Sequence, residues 1–195
     1  MNSHLSDRTS VIGGGATGLV TAATLLADGF TDVTVFCSEK TAGGNWSTVR
    51  IYPGLVTNGP YYEFHSSAED YTEEELKLAS PTSGRLPARV VASYMERFAA
   101  RRCSDCIQYQ TRVTLMKRRK DQRAGWDLHV TDLRTNEESV HSFDKLVVCT
   151  GAVNLAFLHS SKQITIQGSG GPHIRARTKT PGYPRRCAVE NPRRI

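Results

Sequence analysis

Apolar positions along this chain follow two periods, and the switches between them mark the elements. Ser10-Val11-Ile12 is a short apolar run that predicts a buried strand. Leu19 to Leu26 (LVTAATLL) has the density of a helix, and Gly29 predicts its stop. Asp32-Val33-Thr34-Val35-Phe36 alternates as a second strand. Strand, helix and strand within about thirty residues predict a β–α–β unit. Further along, Glu69 to Lys77 is acidic and polar and predicts an exposed turn of helix. Pro87 precedes an amphipathic helix, Val90 to Arg101, with Val90, Val91, Tyr94, Met95 and Phe98 on one face. Ile107 to Met116 predicts a strand that runs into the charge cluster Lys117-Arg118-Arg119-Lys120. Trp126-Asp127-Leu128-His129-Val130 alternates well, and Val140 to Val148 ends in a buried strand, Leu146-Val147-Val148. The pattern predicts an α/β fold with a Rossmann-like parallel sheet and an antiparallel β-meander, in one domain over residues 8–157.

Beyond Phe157 the periodic signal fades. Gly, Pro and Arg dominate Gln167 to Ile195. Such a segment buries too little apolar surface to offset its ordering entropy, so residues 158–195 are expected to form a disordered tail. Ile164-Thr165-Ile166 with Gly168-Ser169-Gly170 imitates a second strand and glycine turn, but no apolar helix follows.

Charge sharpens that division. The net charge is +6, yet residues 158–195 hold eight basic residues and one acid, Glu190. The first 157 residues hold seventeen basic and eighteen acidic residues, so the folded part is nearly neutral. The tail lacks a repeated aromatic–basic pattern, and nucleic acid is not expected as a partner. No run of about eighteen apolar residues predicts a membrane span. The opening MNSHLSDRTS is no apolar signal segment, so a cytoplasmic protein is expected. The five cysteines are odd in number, which argues against a disulfide framework. Cys103-Ser104-Asp105-Cys106 has C-x-x-C spacing, but no second pair or histidine cluster completes a metal site. It ends a predicted helix instead of starting one, where a thiolate would be stabilised, so the cysteines are read as structural.

The candidate chemistry lies between the first strand and its helix. Gly13-Gly14-Gly15-Ala16-Thr17-Gly18 is G-x-G-x-x-G in strand–turn–helix context. Gly13 permits the tight turn, Gly15 lets a pyrophosphate approach the backbone, and Gly18 lets helix and strand pack closely. The N–H groups that open the helix, with its dipole, then face a negative ligand.

Four segments in this order resemble the flavin-containing monooxygenases and their Baeyer–Villiger-type relatives: GGGATG at 13–18, GGNW at 43–46, YPGLVTN at 52–58 and VVCTG at 147–151. The resemblance covers residues 8 to 152 or so. It implies FAD at the first motif, with Gly13, Gly14, Gly15, Ala16 and Gly18 holding the pyrophosphate. Asn45 and Trp46 would line the ribityl–flavin region. Thr57 and Asn58 would face the reacting centre, with Asn58 as the catalytic hydrogen-bonding residue. Thr150 and Gly151 would close the FAD site. The implied activity is NADPH-driven oxygenation of a small organic substrate through a flavin hydroperoxide.

Two departures qualify what the resemblance implies. The acid expected at the end of the second strand, on the adenosine ribose, is replaced by Cys37. Glu39 is the nearest acid, on the same face about 6–7 Å further on, and is expected to serve if the loop bends back. The second departure is length. Val153 and Leu155 stand where the family's inter-domain fingerprint has phenylalanine and glycine ahead of His159, and no NADPH site is expected in this sequence. The chain is therefore expected to be truncated and inactive alone; the alternative is a non-catalytic FAD- or dinucleotide-binding fragment. Its oligomeric state is left open.

Overall fold

A computed structural model describes residues 3–67, 69–119 and 125–151, with three short strands further on. The chain divides into Met1–Ala152 and Val153–Ile195. In the first unit, β1 (Thr9–Ile12), α1 (Ala16–Ala27) and β2 (Val33–Phe36) form the expected β–α–β unit. β1 and β2 run parallel, with Val11 opposite Val35 and Ile12 opposite Phe36. The first helix ends through a Schellman-type lock: Phe30 N–H donates to Leu25 O and Gly29 N–H to Leu26 O. Gly29 takes φ of +92°, which only glycine adopts without strain. The exposed α2 (Glu73–Leu76) and long α3 (Ala88–Arg102) follow.

Alternation sorts the strand side chains between two cores. Val11, Val33 and Val35 pack with Leu19 and Ala22 of α1 and with Val91, Tyr94 and Phe98 of α3. Ile12 and Phe36 point the other way and pack on Leu128, Val130 and Phe143 of the meander. Each such side chain contributes about 1.5–3 kcal/mol on burial. Both faces of β1 are covered, so all four of its residues are buried.

The meander consists of β4 (Thr111–Arg118), β5 (Trp126–Asp132) and β6 (Glu138–Phe143), after a short β3 (Ile107–Gln108). The expected single strand over 107–116 is thus two strands in two sheets. β3 pairs parallel with β2, and β4 pairs antiparallel with β5. Gln110 makes the switch at φ of +54°. It is held there as its N–H donates to Glu39 O and its carbonyl accepts from Leu133 N–H. The expected run over 140–148 is likewise divided. Asp144 ends β6, its carboxylate accepting from Arg8 N–H, and β7 (Lys145–Val148) joins β1 in parallel. The parallel sheet has the order β3-β2-β1-β7. β7 was expected to be buried, but among the described residues it is the sheet edge, and Val148 is 53% exposed.

The acidic segment 69–77 does form an exposed helical turn, with a Thr72–Glu75 capping box. Two of its acids are not solvated. Glu69 and Glu75 both accept from Arg97 of α3, and Glu69 also from Arg101. Tyr94 closes the same region, its hydroxyl donating to Glu69 O and accepting from Ser66 N–H.

In the second unit, β8 (Thr165–Ile166), β9 (Ile174–Arg175) and β10 (Ala188–Val189) pair as an antiparallel sheet. β8 pairs antiparallel with β9, within the segment 158–195 for which a disordered tail is expected. The rest of that expectation, with Val153, Leu155 and His159, lies outside the described residues.

Candidate dinucleotide-binding site

The turn between β1 and α1 is crowded on every side by backbone. Gly13, at φ of +117°, is tied down by its N–H to Phe36 O at 2.9 Å. A Cβ on Gly13 would lie 2.3 Å from Cys149 O, and one on Gly18 would lie 1.8 Å from Gly13 O. Gly15 precedes the helix, and Leu19 N–H donates to Gly15 O at 2.9 Å. The N–H groups of the first turn have no acceptor within the helix and point along its axis toward the loop. A compact anion can approach those groups where no side chain stands in the way.

Two further loops meet this turn. Gly43 N–H donates to Gly14 O at 2.8 Å, and a Cβ on Gly15 would stand 3.6 Å from Gly44 Cα. Cys149 N–H donates to Ile12 O at 2.8 Å, bringing Thr150 and Gly151, both exposed, to the end of β1. The structure thus unites the 13–18, 43–46 and 147–151 segments. Asn45 is exposed, while Trp46 is half-buried and meets Phe64 edge-on, centroids 5.9 Å apart.

Thr57 and Asn58 belong to a different set of contacts. Thr57 is 1% exposed, and its hydroxyl is committed at both ends. It donates to Gly59 O at 2.6 Å and accepts from Leu86 N–H at 3.0 Å. That side chain fastens the loop ahead of α3. Asn58, beside it, is exposed.

The end of β2, where a ribose-binding acid is expected, departs from the usual pattern. Cys37, 3% exposed, follows β2 with its thiol packed where a Gly14 side chain would be. Burial pushes the Cys37 thiol up, against the opposing pull of the Glu39 backbone, so it stays neutral. A neutral thiol is a weak donor and poor stand-in for a carboxylate. The Glu39 carboxylate is gripped through Oε1 by Arg50 Nε at 3.1 Å and Nη2 at 2.5 Å. Neither the role of Arg50 nor the seating of Gly43 and Gly44 on the first loop was legible in the sequence. An ion pair eleven positions apart in a loop has no periodic signature. A hollow of about 250 Å³ lies instead on the meander, bordered by Thr114, Leu115, His129 and Val140, and shares no residue with the glycine turn.

A turn so confined, opening a helix beside a parallel strand, is the arrangement of a Rossmann-like fold. Residues 11–74 match the family model for the NAD(P)-binding Rossmann-like domain. Over 152 residues the chain is 28% identical to the FAD-dependent monooxygenase resA of Aspergillus sclerotiorum. That match covers 77% of this chain and 25% of the relative, so the chain spans about a quarter of the relative's length. The fold is also similar to S-allyl-L-cysteine S-oxygenase from Allium sativum, with 23% identity and a TM-score of 0.59 over 75% of this chain and 36% of that one. It resembles OTEMO in complex with FAD and NADP, with 22% identity and a TM-score of 0.60 over 81% of this chain and 28% of that one. At those identities the likeness is one of fold. No helix among the described residues is long and apolar enough to cross a membrane.

Proposed function

We propose that this chain holds the adenosine pyrophosphate of FAD and acts as part of a monooxygenase-like oxidoreductase driven by NADPH and working on a small organic substrate. The observation that carries the reading is the side-chain-free cradle at Gly13 and Gly18, where a Cβ would strike backbone oxygen at 2.3 and 1.8 Å. FAD, when bound, supplies the redox chemistry of oxygen activation. The protein's part is to bind and orient it. The backbone of Gly13, Gly14, Gly15, Ala16 and Gly18 receives the pyrophosphate, and Glu39, steadied by Arg50, takes the ribose hydroxyls. Asn45 and Trp46 line the ribityl side, and Thr150 with Gly151 closes the site. Thr57 holds its loop, leaving the exposed Asn58 to donate hydrogen bonds at the reacting centre; its amide does not titrate, so it orients and does not exchange protons. Cys37, Cys103, Cys106 and Cys149, the free cysteines among the described residues, fit a reducing, cytoplasmic setting.

A second reading is FAD binding without turnover. It is favoured by the neutral Cys37 at the strand end, where a carboxylate would strengthen the grip on the nucleoside. The two separate in one experiment: purified protein is titrated with FAD by flavin fluorescence, and NADPH is then added. Bound flavin with NADPH oxidation supports the first reading, and bound flavin without it supports the second. Protein that takes up no FAD overturns both. Glu39→Ala should weaken FAD binding about tenfold or more, the worth of a charged hydrogen bond, if Glu39 serves the ribose.

A further inference from the structure

The C-x-x-C segment plays no part in nucleotide binding, and its placement suits other chemistry. Cys103 follows α3, its N–H donating to Ala99 O at 2.9 Å. The chain then turns back on itself, with Cys106 N–H donating to Cys103 O at 3.2 Å. A turn closed in this way brings its first and fourth Cα atoms within about 7 Å, inside or close to the span a disulfide bridges. Cys106 folds inward over the turn, its thiol donating to the same Cys103 O at 3.3 Å. Cys103 is 1% exposed and sits in the main core, its thiol donating to Leu19 O of α1 at 3.5 Å. Cys106 is only half-buried, so one sulfur faces the core and the other can be reached from solvent.

We propose that Cys103 and Cys106 form a reversible dithiol–disulfide couple oxidised by small hydroperoxides, with Cys106 as the attacking sulfur and Cys103 as the resolving one. The Cys106 sulfur attacks one peroxide oxygen and the O–O bond breaks. The leaving oxygen takes the Cys106 proton and departs as alcohol, or as water when the oxidant is hydrogen peroxide. Cys106 is left as sulfenic acid. The Cys103 sulfur then attacks the Cys106 sulfur, the S–S bond forms, and the S–O bond breaks. Hydroxide leaves with the Cys103 proton as water. Two electrons pass from two thiols to one peroxide.

The local electrostatics support this order of events. The adjacent Cys103 thiol holds the Cys106 thiol below the ordinary cysteine range, outweighing its partial burial and the neighbouring Asp105. The same contact, with burial, pushes the Cys103 thiol up. The more acidic thiol is therefore the more exposed one, as the attacking sulfur requires.

Trypsin should release Cys103 to Arg112 as one peptide, with Cys103 and Cys106 as its cysteines. The full chain is reduced, freed of reductant, exposed to hydrogen peroxide, alkylated under denaturing conditions and digested. The expected product is this peptide lighter by two hydrogens and unalkylated, with both alkylations restored by dithiothreitol. Cys103→Ser should instead stop at a sulfenic acid on Cys106 that a dimedone probe traps, and Cys106→Ser should leave Cys103 alkylated throughout. A wild-type peptide still doubly alkylated at peroxide doses that oxidise Cys149 overturns the proposal. So does a disulfide that joins either sulfur to another cysteine. The wild-type measurement decides the matter even if a variant fails to fold.

Discussion

Replacing Gly18 with alanine tests the cradle through the sign of its effect. In an ordinary helix interior this change stabilises by about 1 kcal/mol, because alanine loses less conformational freedom. Here the new Cβ would lie 1.8 Å from Gly13 O and 3.0 Å from Gly13 C. Those atoms are backbone, and Gly13 is itself fixed by its bond to Phe36 O and crowded by Cys149 O. The turn must shift, at an overpacking cost of about 1–3 kcal/mol or somewhat more. The net loss is then up to about 2 kcal/mol or somewhat more, a fall in Tm of up to roughly 8 °C for a chain of this size. Thermal melting by circular dichroism reads it directly. Gly54→Ala is the companion, with φ of +84° and no atom within 4 Å, so it carries left-handed strain without a collision. Gly54→Ala should leave FAD affinity unchanged, while Gly18→Ala should weaken it. A Gly18→Ala protein that melts above the wild type would refute the steric argument.

Three other outcomes follow from the contacts. Ser10 is 0% exposed and its hydroxyl has no hydrogen-bond partner, so Ser10→Ala should raise stability by about 1 kcal/mol in urea unfolding; a lower midpoint would mean that the hydroxyl is satisfied. Tyr94→Phe removes the hydroxyl that bonds both Ser66 N–H and Glu69 O and should cost about 1–3 kcal/mol, while an unchanged melting curve would show that water replaces the hydroxyl. For Glu75, burial works upward, but the hydrogen bonds from Arg97 and Thr72 win and hold the carboxyl below its usual range. That contribution is complete above the ordinary glutamate pKa and is lost as pH falls through the lower folded value. Urea midpoints from neutral pH to acid should therefore drop less steeply for Arg97→Met than for wild type, and parallel curves would refute the pairing.

Short-range signals located most of the elements. The β1–α1–β2 unit and α3 are legible because their periodicity, Gly29 and Pro87 are local facts. The two misjudged strands have a common cause. Residues 107–116 and 140–148 read as continuous because apolar alternation does not say which sheet a strand joins. That is decided by distant partners: Glu39 and Leu133 hold Gln110 in its left-handed turn, and Arg8 receives Asp144. The exposure of Val148 has the same origin, since a strand's burial depends on its place in the sheet order.

The site divides along the same line. The sequence by itself determined the glycine turn between β1 and α1, because a backbone that must pass within contact distance of another backbone leaves only glycine at Gly13 and Gly18. It also placed a cysteine where an acid is usual. Only the tertiary structure decided that Cys37 fills the space beside Gly14, that Arg50 takes the Glu39 carboxylate, and that the Thr57 hydroxyl is spent on its own loop. A steric requirement is written into residue type, whereas the choice of a side chain's partner depends on which loops the fold brings together.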